Sequence, residues 1–338
     1  MLSALRAQSP LFATLSGKVH DAEGDTPLAS VNVFLANTML GAQTKANGDF
    51  EIRNVPFGNY ELIVSMIGYE VQQKSLRVAQ AKLGDLAFAL KSRVLSGPEV
   101  EVVGETPKDW RKNLEKFEKF FWGSSKYVEQ CRILNPEVLD FKAEEESRWF
   151  TATARQPLLV ENRALGYRIN LILMNFEYQE RDNEIRYSLI PRFEQLLAES
   201  AAEEKRWEKN RATAHRGSMR HFLNALAAQQ SWEEGFQICA LSRLPWEEGA
   251  VKQMMFKPER MMTTGELPNE RWLRFENCLE ISFNNDRKKT SWMVAQKDSV
   301  LMNTAGYVYN GADLFVYGYW FHQRLAEALP REYEPTEE

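Results

Sequence analysis

The chain's chemically capable side chains are densest between residues 215 and 221. There, His215-Arg216-Gly217-Ser218-Met219-Arg220-His221 gathers two imidazoles, one hydroxyl and two guanidinium groups. Two histidines share a metal or relay a proton only from one face. Six helical residues rotate the chain by about 240 degrees, so these two do not share one. Ser218 and His221 are three apart and do fall on one face, as a nucleophile and its base would. No Gly-x-Ser-x-Gly elbow surrounds the serine, and no third member can be assigned. Arg216 and Arg220 suit a phosphate, backbone carbonyls or plain surface charge.

Other constellations are weaker. His20 to Glu23 spells His-x-x-Glu, but the string sits in a turn, and the next histidine, His215, is too remote to complete a zinc site. Glu144-Glu145-Glu146 can attract cations, although an acidic run is usually a solvated face. Trp207, Trp232, Trp246, Trp272 and Trp292 can floor a sugar or peptide groove, or else fill cores and seams. Met254, Met255, Phe256, Met261 and Met262 form either a soft protein-binding surface or core filling, and core filling is the expectation. Cys131, Cys239 and Cys278 have no metal-binding spacing and read as small buried hydrophobes. No residue is therefore assigned a catalytic, cofactor-binding or metal-binding role.

Composition narrows the classes. The 338 residues are 44% hydrophobic and 26% charged, enough for two packed domains. Acidic residues outnumber basic ones by 47 to 42, for a formal charge of -5, which disfavours a dedicated nucleic-acid binder. No apolar run approaches the ~18 residues of a membrane helix. Residues 1–8 are too short for a secretory signal, yet Leu5-Arg6-Ala7-Gln8 is like the end of one.

Residues 12–92 read as about seven short strands. Thr14–His20 comes first, Ser30–Leu35 follows, and Asn47-Gly48 gives a hairpin signal. Phe50 and Ile52 point inward while Glu51 and Arg53 face water. Pro56–Tyr60 turns the chain into Leu62-Ile63-Val64, and strands near Val71–Val78 and Asp85–Leu90 complete the set. With no helical stretch, a sandwich of two antiparallel sheets is expected.

Gly17-Lys18-Val19, Pro27–Val33, Thr44–Phe50, Val55–Tyr60 and Ile67-Gly68-Tyr69, in that order, resemble the carboxypeptidase regulatory-like family. The resemblance implies a transthyretin- or prealbumin-like Greek-key sandwich, found beside peptidase domains and at the front of exported Bacteroidetes-type proteins. Lys45 and Asn47 stand where that family often has aspartates, which argues against a calcium loop. The module is accessory, so it does not imply a carboxypeptidase.

Residues 93–105 read as a linker, with Glu99–Val103 a candidate edge strand able to accept a partner's strand. Residues 106–330 read as an α+β domain with mainly antiparallel strands. Thr106-Pro107-Lys108-Asp109 starts a helix that aligns Trp110, Leu114, Phe117 and Phe121. Strands are expected at Arg148–Ala154, Leu158–Val160, Gly166–Tyr178 and Glu184–Ile190, the last two joined at Arg181-Asp182-Asn183. A long helix is expected over Glu203–Gln229, with Gly217 weakening its middle. Further strands near Phe236–Leu241, Arg271–Phe275, Cys278–Phe283 and Asp313–Tyr317 lead to a short helix at Tyr319–Leu329.

Phe120–Ser125, Cys131–Pro136, Glu161–Tyr167 and Arg216–Leu223 resemble segments of Bacteroidetes proteins carrying the same module at the front. That resemblance implies export to the periplasm or the periplasmic face of the outer membrane. The expected function is a non-enzymatic binding or structural envelope protein whose partner is an envelope protein or a glycan, with no cofactor. The alternative is a peptide- or glycan-acting hydrolase with an accessory sandwich.

Overall fold

A computed structural model describes residues 12–93, 107–144, 148–181, 184–255 and 257–335. The chain divides into two compact units, residues 1–36 with 40–97 and residues 37–39 with 98–338. The linker beyond Arg93, the Glu99–Val103 edge, the Thr106 cap, Glu145 and Glu146, the turn residues Asp182 and Asn183, Phe256 and the first eleven residues lie outside the described residues.

The first unit is the expected seven-stranded sandwich. β1 (Phe12–Asp21), β4 (Asp49–Pro56) and β7 (Lys82–Leu90) form one sheet in the order β4-β1-β7. β2 (Asn32–Leu35), β3 (Gly41–Gln43), β5 (Gly58–Ser65) and β6 (Gln72–Val78) form the other, in the order β3-β2-β5-β6. All pairs are antiparallel except β1 with β7, which run parallel. Leu15, Val19, Phe50, Ile52 and Phe88 from one sheet share a core with Val33, Leu35, Leu62, Val64 and Val78 from the other. Asn47-Gly48 marks a turn, but the strands it joins, β3 and β4, belong to different sheets, so it is no hairpin. Gly48 is required there: its φ is +78°, and a Cβ would lie 2.4 Å from the Val19 carbonyl oxygen.

The second unit mixes helices with antiparallel sheets. Helix α1 (Pro107–Phe121) buries Phe117 and Phe121 with Phe150 and Phe176 in one core cluster. Phe150 and Phe176 belong to a six-stranded sheet of β8 (Cys131–Ile133), β9 (Leu139–Glu144), β10 (Trp149–Ala154), β11 (Leu158–Asn162), β12 (Tyr167–Gln179) and β13 (Glu184–Gln195). Along β12 the alternate residues Tyr167, Ile169, Leu171 and Leu173 are buried, as their spacing predicts.

The long helix expected from Glu203 to Gln229 is two helices, α2 (Ala201–His215) and α3 (Met219–Ala227). Gly217 breaks it. The residue has a φ of +81°, a Cβ there would stand 2.8 Å from the Phe283 ring, and the Trp320 indole donates to the Gly217 carbonyl at 2.8 Å. Ser218 then caps α3.

Beyond α3, β14 (Phe236–Leu241), β15 (Lys252–Met254), β18 (Cys278–Phe283), β19 (Asp286–Ala295) and β21 (Leu314–Gly318) build a five-stranded sheet in the order β15-β14-β18-β19-β21. A smaller sheet joins β16 (Met262–Thr264), β17 (Glu270–Leu273) and β20 (Val300–Asn303). Phe222 and Leu226 of α3 pack with Phe236, Ile238, Ile281, Phe283 and Met293 on the inner face of the five-stranded sheet. The helix expected over Tyr319–Leu329 is only a single turn, α4 (Tyr319–His322). Past it, the Arg324 side chain donates to the Phe120 carbonyl and the Ala326 N–H to the Trp122 carbonyl, so tertiary hydrogen bonds interrupt the helix before a short 3-10 turn at Leu325–Glu327.

Candidate functional site

The break at Gly217 decides the fate of the histidine-rich heptapeptide. Ser218 Oγ accepts the His221 backbone N–H at 3.1 Å, so its hydroxyl is a helix cap rather than a partner of the imidazole. His221 Nδ1 accepts the Gly217 N–H at 3.0 Å, and Nε2 lies 3.1 Å from Glu234 Oε2. The ring is thus an acceptor at Nδ1 and a donor at Nε2, held on both sides. Burial lowers its basicity, opposed by the hydrogen bond to Glu234. The bend also brings the His215 and His221 rings within 5.1 Å, which a continuous helix would forbid. Arg220 takes the backbone role: it donates to the carbonyls of Ala305, Pro330, Arg331 and Tyr333. Arg216 is exposed.

His20 meets Asp25 at 3.5 Å, while Glu23 is exposed in the turn. Among the described residues, no three His, Cys, Asp or Glu side chains are grouped to hold a metal ion. All three cysteines are buried and free. Met261 is buried and Met255 and Met262 pack on the core, as core filling predicts; Met254 alone of the four is exposed. Met255, Met261, Phe275 and Leu279 line an apolar groove of about 350 Å³.

The five tryptophans separate. Trp207 is 3% exposed and donates to the Arg163 carbonyl at 2.7 Å, a core residue. Trp232 stands exposed beside α3. Trp246 and Trp292 come together on the outer face of the five-stranded sheet, and Trp272 lines a separate cavity.

Strand register builds that outer face as three rows running across the strands. Met254, Cys239, Glu280, Trp292 and Tyr317 are successive cross-strand partners and form one row. Lys252, Leu241, Cys278, Val294 and Phe315 form the next. Gln237, Ser282 and Thr290 make a polar row on the other side of the first. Five strands spaced about 4.8 Å apart give rows roughly 19 Å long. The loop between β14 and β15 sets Trp246 against this surface, 59% exposed, its ring meeting Trp292 edge-on at 5.8 Å and Tyr317 at 5.3 Å. Phe315 is 50% exposed.

Glu280, beside Trp292 in the first row, fixes the platform. Its Oε2 accepts the Trp292 indole N–H at 3.1 Å, and its Oε1 pairs with the Lys252 ammonium. The hydrogen bond to Glu280 holds the Lys252 ammonium above its ordinary range. Cys239, Leu241 and Cys278 in the middle of the rows are buried with Leu244, and Trp246, Tyr317 and Phe315 form a pre-oriented aromatic surface next to unused hydroxyl and amide groups. Sequence reasoning singled out Trp246 and Trp292 but missed Phe315, Tyr317, Glu280 and Lys252. The Phe315-x-Tyr317 alternation was the available signal, since residues two apart on a strand share a face.

The cavity at Trp272, about 390 Å³, is lined by Arg260, Met261, Thr263, Trp272, Arg274 and Ser299. Thr263 and Trp272 are direct cross-strand partners of β16 and β17.

Residues 15–102 match the family model described as the CarboxypepD_reg-like domain, so the first unit carries that module. No curated protein matches the chain. Among solved structures, a type II cohesin–X-dockerin complex from Acetivibrio cellulolyticus is 22% identical with a TM-score of 0.21, over 24% of this chain and 58% of that one. The major pilin subunit of Bacillus cereus is 11% identical with a TM-score of 0.23, over 25% and 31%. A putative carbohydrate binding protein from Bacteroides uniformis is 12% identical with a TM-score of 0.19, over 49% and 61%. The chain therefore spans less than two thirds of each of these proteins.

Proposed function

We propose that this protein is an envelope binding protein that holds an extended glycan on the outer face of its five-stranded sheet. The carrying observation is the alternation of rows on one rigid surface. Trp246, Trp292, Tyr317 and Phe315 offer ring faces and edges. The row of Gln237, Ser282 and Thr290 offers side chains with no hydrogen-bond partner among the described residues. A sugar has the matching anatomy, an apolar C–H face bordered by hydroxyls. Aromatic area that is already braced costs little rotamer entropy to use. A buried protein interface would instead leave the polar row to be desolvated in need of partners.

Binding without turnover is part of the proposal. Ser218 and His221 are committed to the α3 cap and to Glu234, which removes the one nucleophile–base pair that the sequence offers. The reading also places the protein in the periplasm or on the periplasmic face of the outer membrane. That placement rests on the likeness of the first unit to modules of exported proteins.

Calorimetry against a panel of soluble polysaccharides tests the glycan site. A bound member should lose tenfold or more in affinity with Trp246→Ala and with Phe315→Ala, while thermal unfolding stays unchanged. No binding across the panel, or full binding by both variants, would overturn it. Turnover of peptide or glycan substrates by the purified chain would overturn the non-enzymatic part. Cell fractionation, with intact protein found only in the cytoplasm, would overturn the location.

A further inference from the structure

The small sheet carries a constellation that differs chemically from the aromatic rows. Alternation along β17 and just beyond it puts Trp272 and Arg274 on one side. Thr263 of β16 and Leu301 of β20 pair with Trp272 from either flank. Ser299 and Arg260 complete the cavity wall. Arg260, Trp272 and Arg274 are all exposed, and neither guanidinium has an ion pair or hydrogen bond among the described residues. Two unpaired cations therefore flank an open indole in one cavity, on a chain of net charge -5. The cavity volume falls within the ~300–1,000 Å³ of small-ligand sites.

We propose that this cavity binds a uronate, a sugar ring bearing a carboxylate. Each lining group has a matching part of that ligand. The planar forks of Arg260 and Arg274 accommodate a carboxylate bidentately. The Trp272 face takes the C–H side of the ring, and Thr263 and Ser299 reach ring hydroxyls. A bare inorganic anion would use the arginines and leave the indole idle. A neutral sugar would use the indole and leave both cations unpaired. The uronate engages all of these groups. The site is separate from the aromatic rows, and the proposal does not depend on the glycan reading of that face.

The test uses the full chain, with glucuronate, glucose and inorganic sulfate as probes, followed by calorimetry and tryptophan fluorescence. Glucuronate should bind at least tenfold more tightly than glucose, and its affinity should fall as salt is raised. The double variant Arg260→Gln, Arg274→Gln should erase that preference. Trp272→Ala should weaken glucuronate without changing sulfate, and Trp232→Ala, an exposed tryptophan outside both sites, should leave both unchanged. All the substituted side chains are exposed, so far-UV circular dichroism and melting should match the parent. Equal binding of glucose and glucuronate overturns the proposal. So does sulfate binding as tightly as glucuronate, or a preference that survives the double variant.

Discussion

Ser218 Oγ and the His221 backbone N–H meet at 3.1 Å across the first turn of α3, immediately after the break at Gly217. A serine and a histidine three residues apart look like a catalytic pair, but the bond goes to the main chain and stabilises a helix end. Ser218→Ala should therefore cost about 1 kcal/mol of unfolding free energy, the ordinary value of an N-cap. Gly217→Ala should cost more, because its φ of +81° and the Phe283 ring 2.8 Å from a Cβ act together. Urea denaturation of both variants measures this; a neutral Gly217→Ala would contradict the break as described.

His215 makes stability depend on pH. It is 5% exposed, packed against the His221 and Tyr333 rings, and burial holds its imidazole down to about 3. The unfolded chain takes up a proton near pH 6.5 that the folded chain refuses until about 3. Its stabilisation is complete above about pH 6.5 and is lost as the pH falls through that window. Between pH 7 and pH 5 the loss is about 2 kcal/mol for this one group. His221 is lowered as well, with Glu234 opposing the shift. His215→Gln should flatten the profile by that amount; parallel profiles for parent and variant would show that His215 is not responsible.

The cysteines should be inert. Burial pushes the Cys131 thiol up to about 12 and the Cys278 thiol up to about 11, and it raises Cys239 too. At pH 8 roughly one Cys131 in ten thousand is the reactive thiolate. Ellman's reagent should find no thiols in the folded protein and all three after denaturation. Rapid labelling of any one before unfolding would contradict their burial.

Local signals in the sequence were enough for the first unit's strands, because Phe50 and Ile52 alternate with Glu51 and Arg53 and turn residues separate each run. The parallel pairing of β1 with β7 joins the two ends of the unit and leaves no local trace. The same holds for Asn47-Gly48, whose turn chemistry is visible although the change of sheet is not. In the second unit β19 escaped notice because its opening residues, Asp286-Arg287-Lys288, are exposed and charged, like a loop. Gly217 was seen as a weak point, but only tertiary contacts with Phe283 and Trp320 turn it into a break. The aromatic platform was half legible. Trp246 and Trp292 are far apart in sequence, and it is strand register, with one ordered loop, that joins them.

Glu280 is the residue through which the platform can be tested without removing any of its aromatic rings. Its carboxylate holds the Trp292 indole N–H and the Lys252 ammonium, and Trp292 in turn braces Trp246. Glu280→Leu keeps the bulk but removes both bonds, leaving a half-buried indole N–H without its acceptor, at a cost of about 1–3 kcal/mol. With Trp292 free to turn, Trp246 loses its edge contact and must be ordered by the ligand, which lowers affinity. Glu280→Gln retains an oxygen that can accept the indole bond, so it should lose the Lys252 pair and little else. The expected order of glycan affinity is therefore parent, then Glu280→Gln close behind, then Glu280→Leu several-fold weaker. Trp292→Phe, which lacks the N–H, should make Glu280→Leu no worse when the two are combined. Time-resolved tryptophan anisotropy should report faster indole motion in Glu280→Leu. Unchanged anisotropy with unchanged affinity would show that Glu280 does not organise the platform.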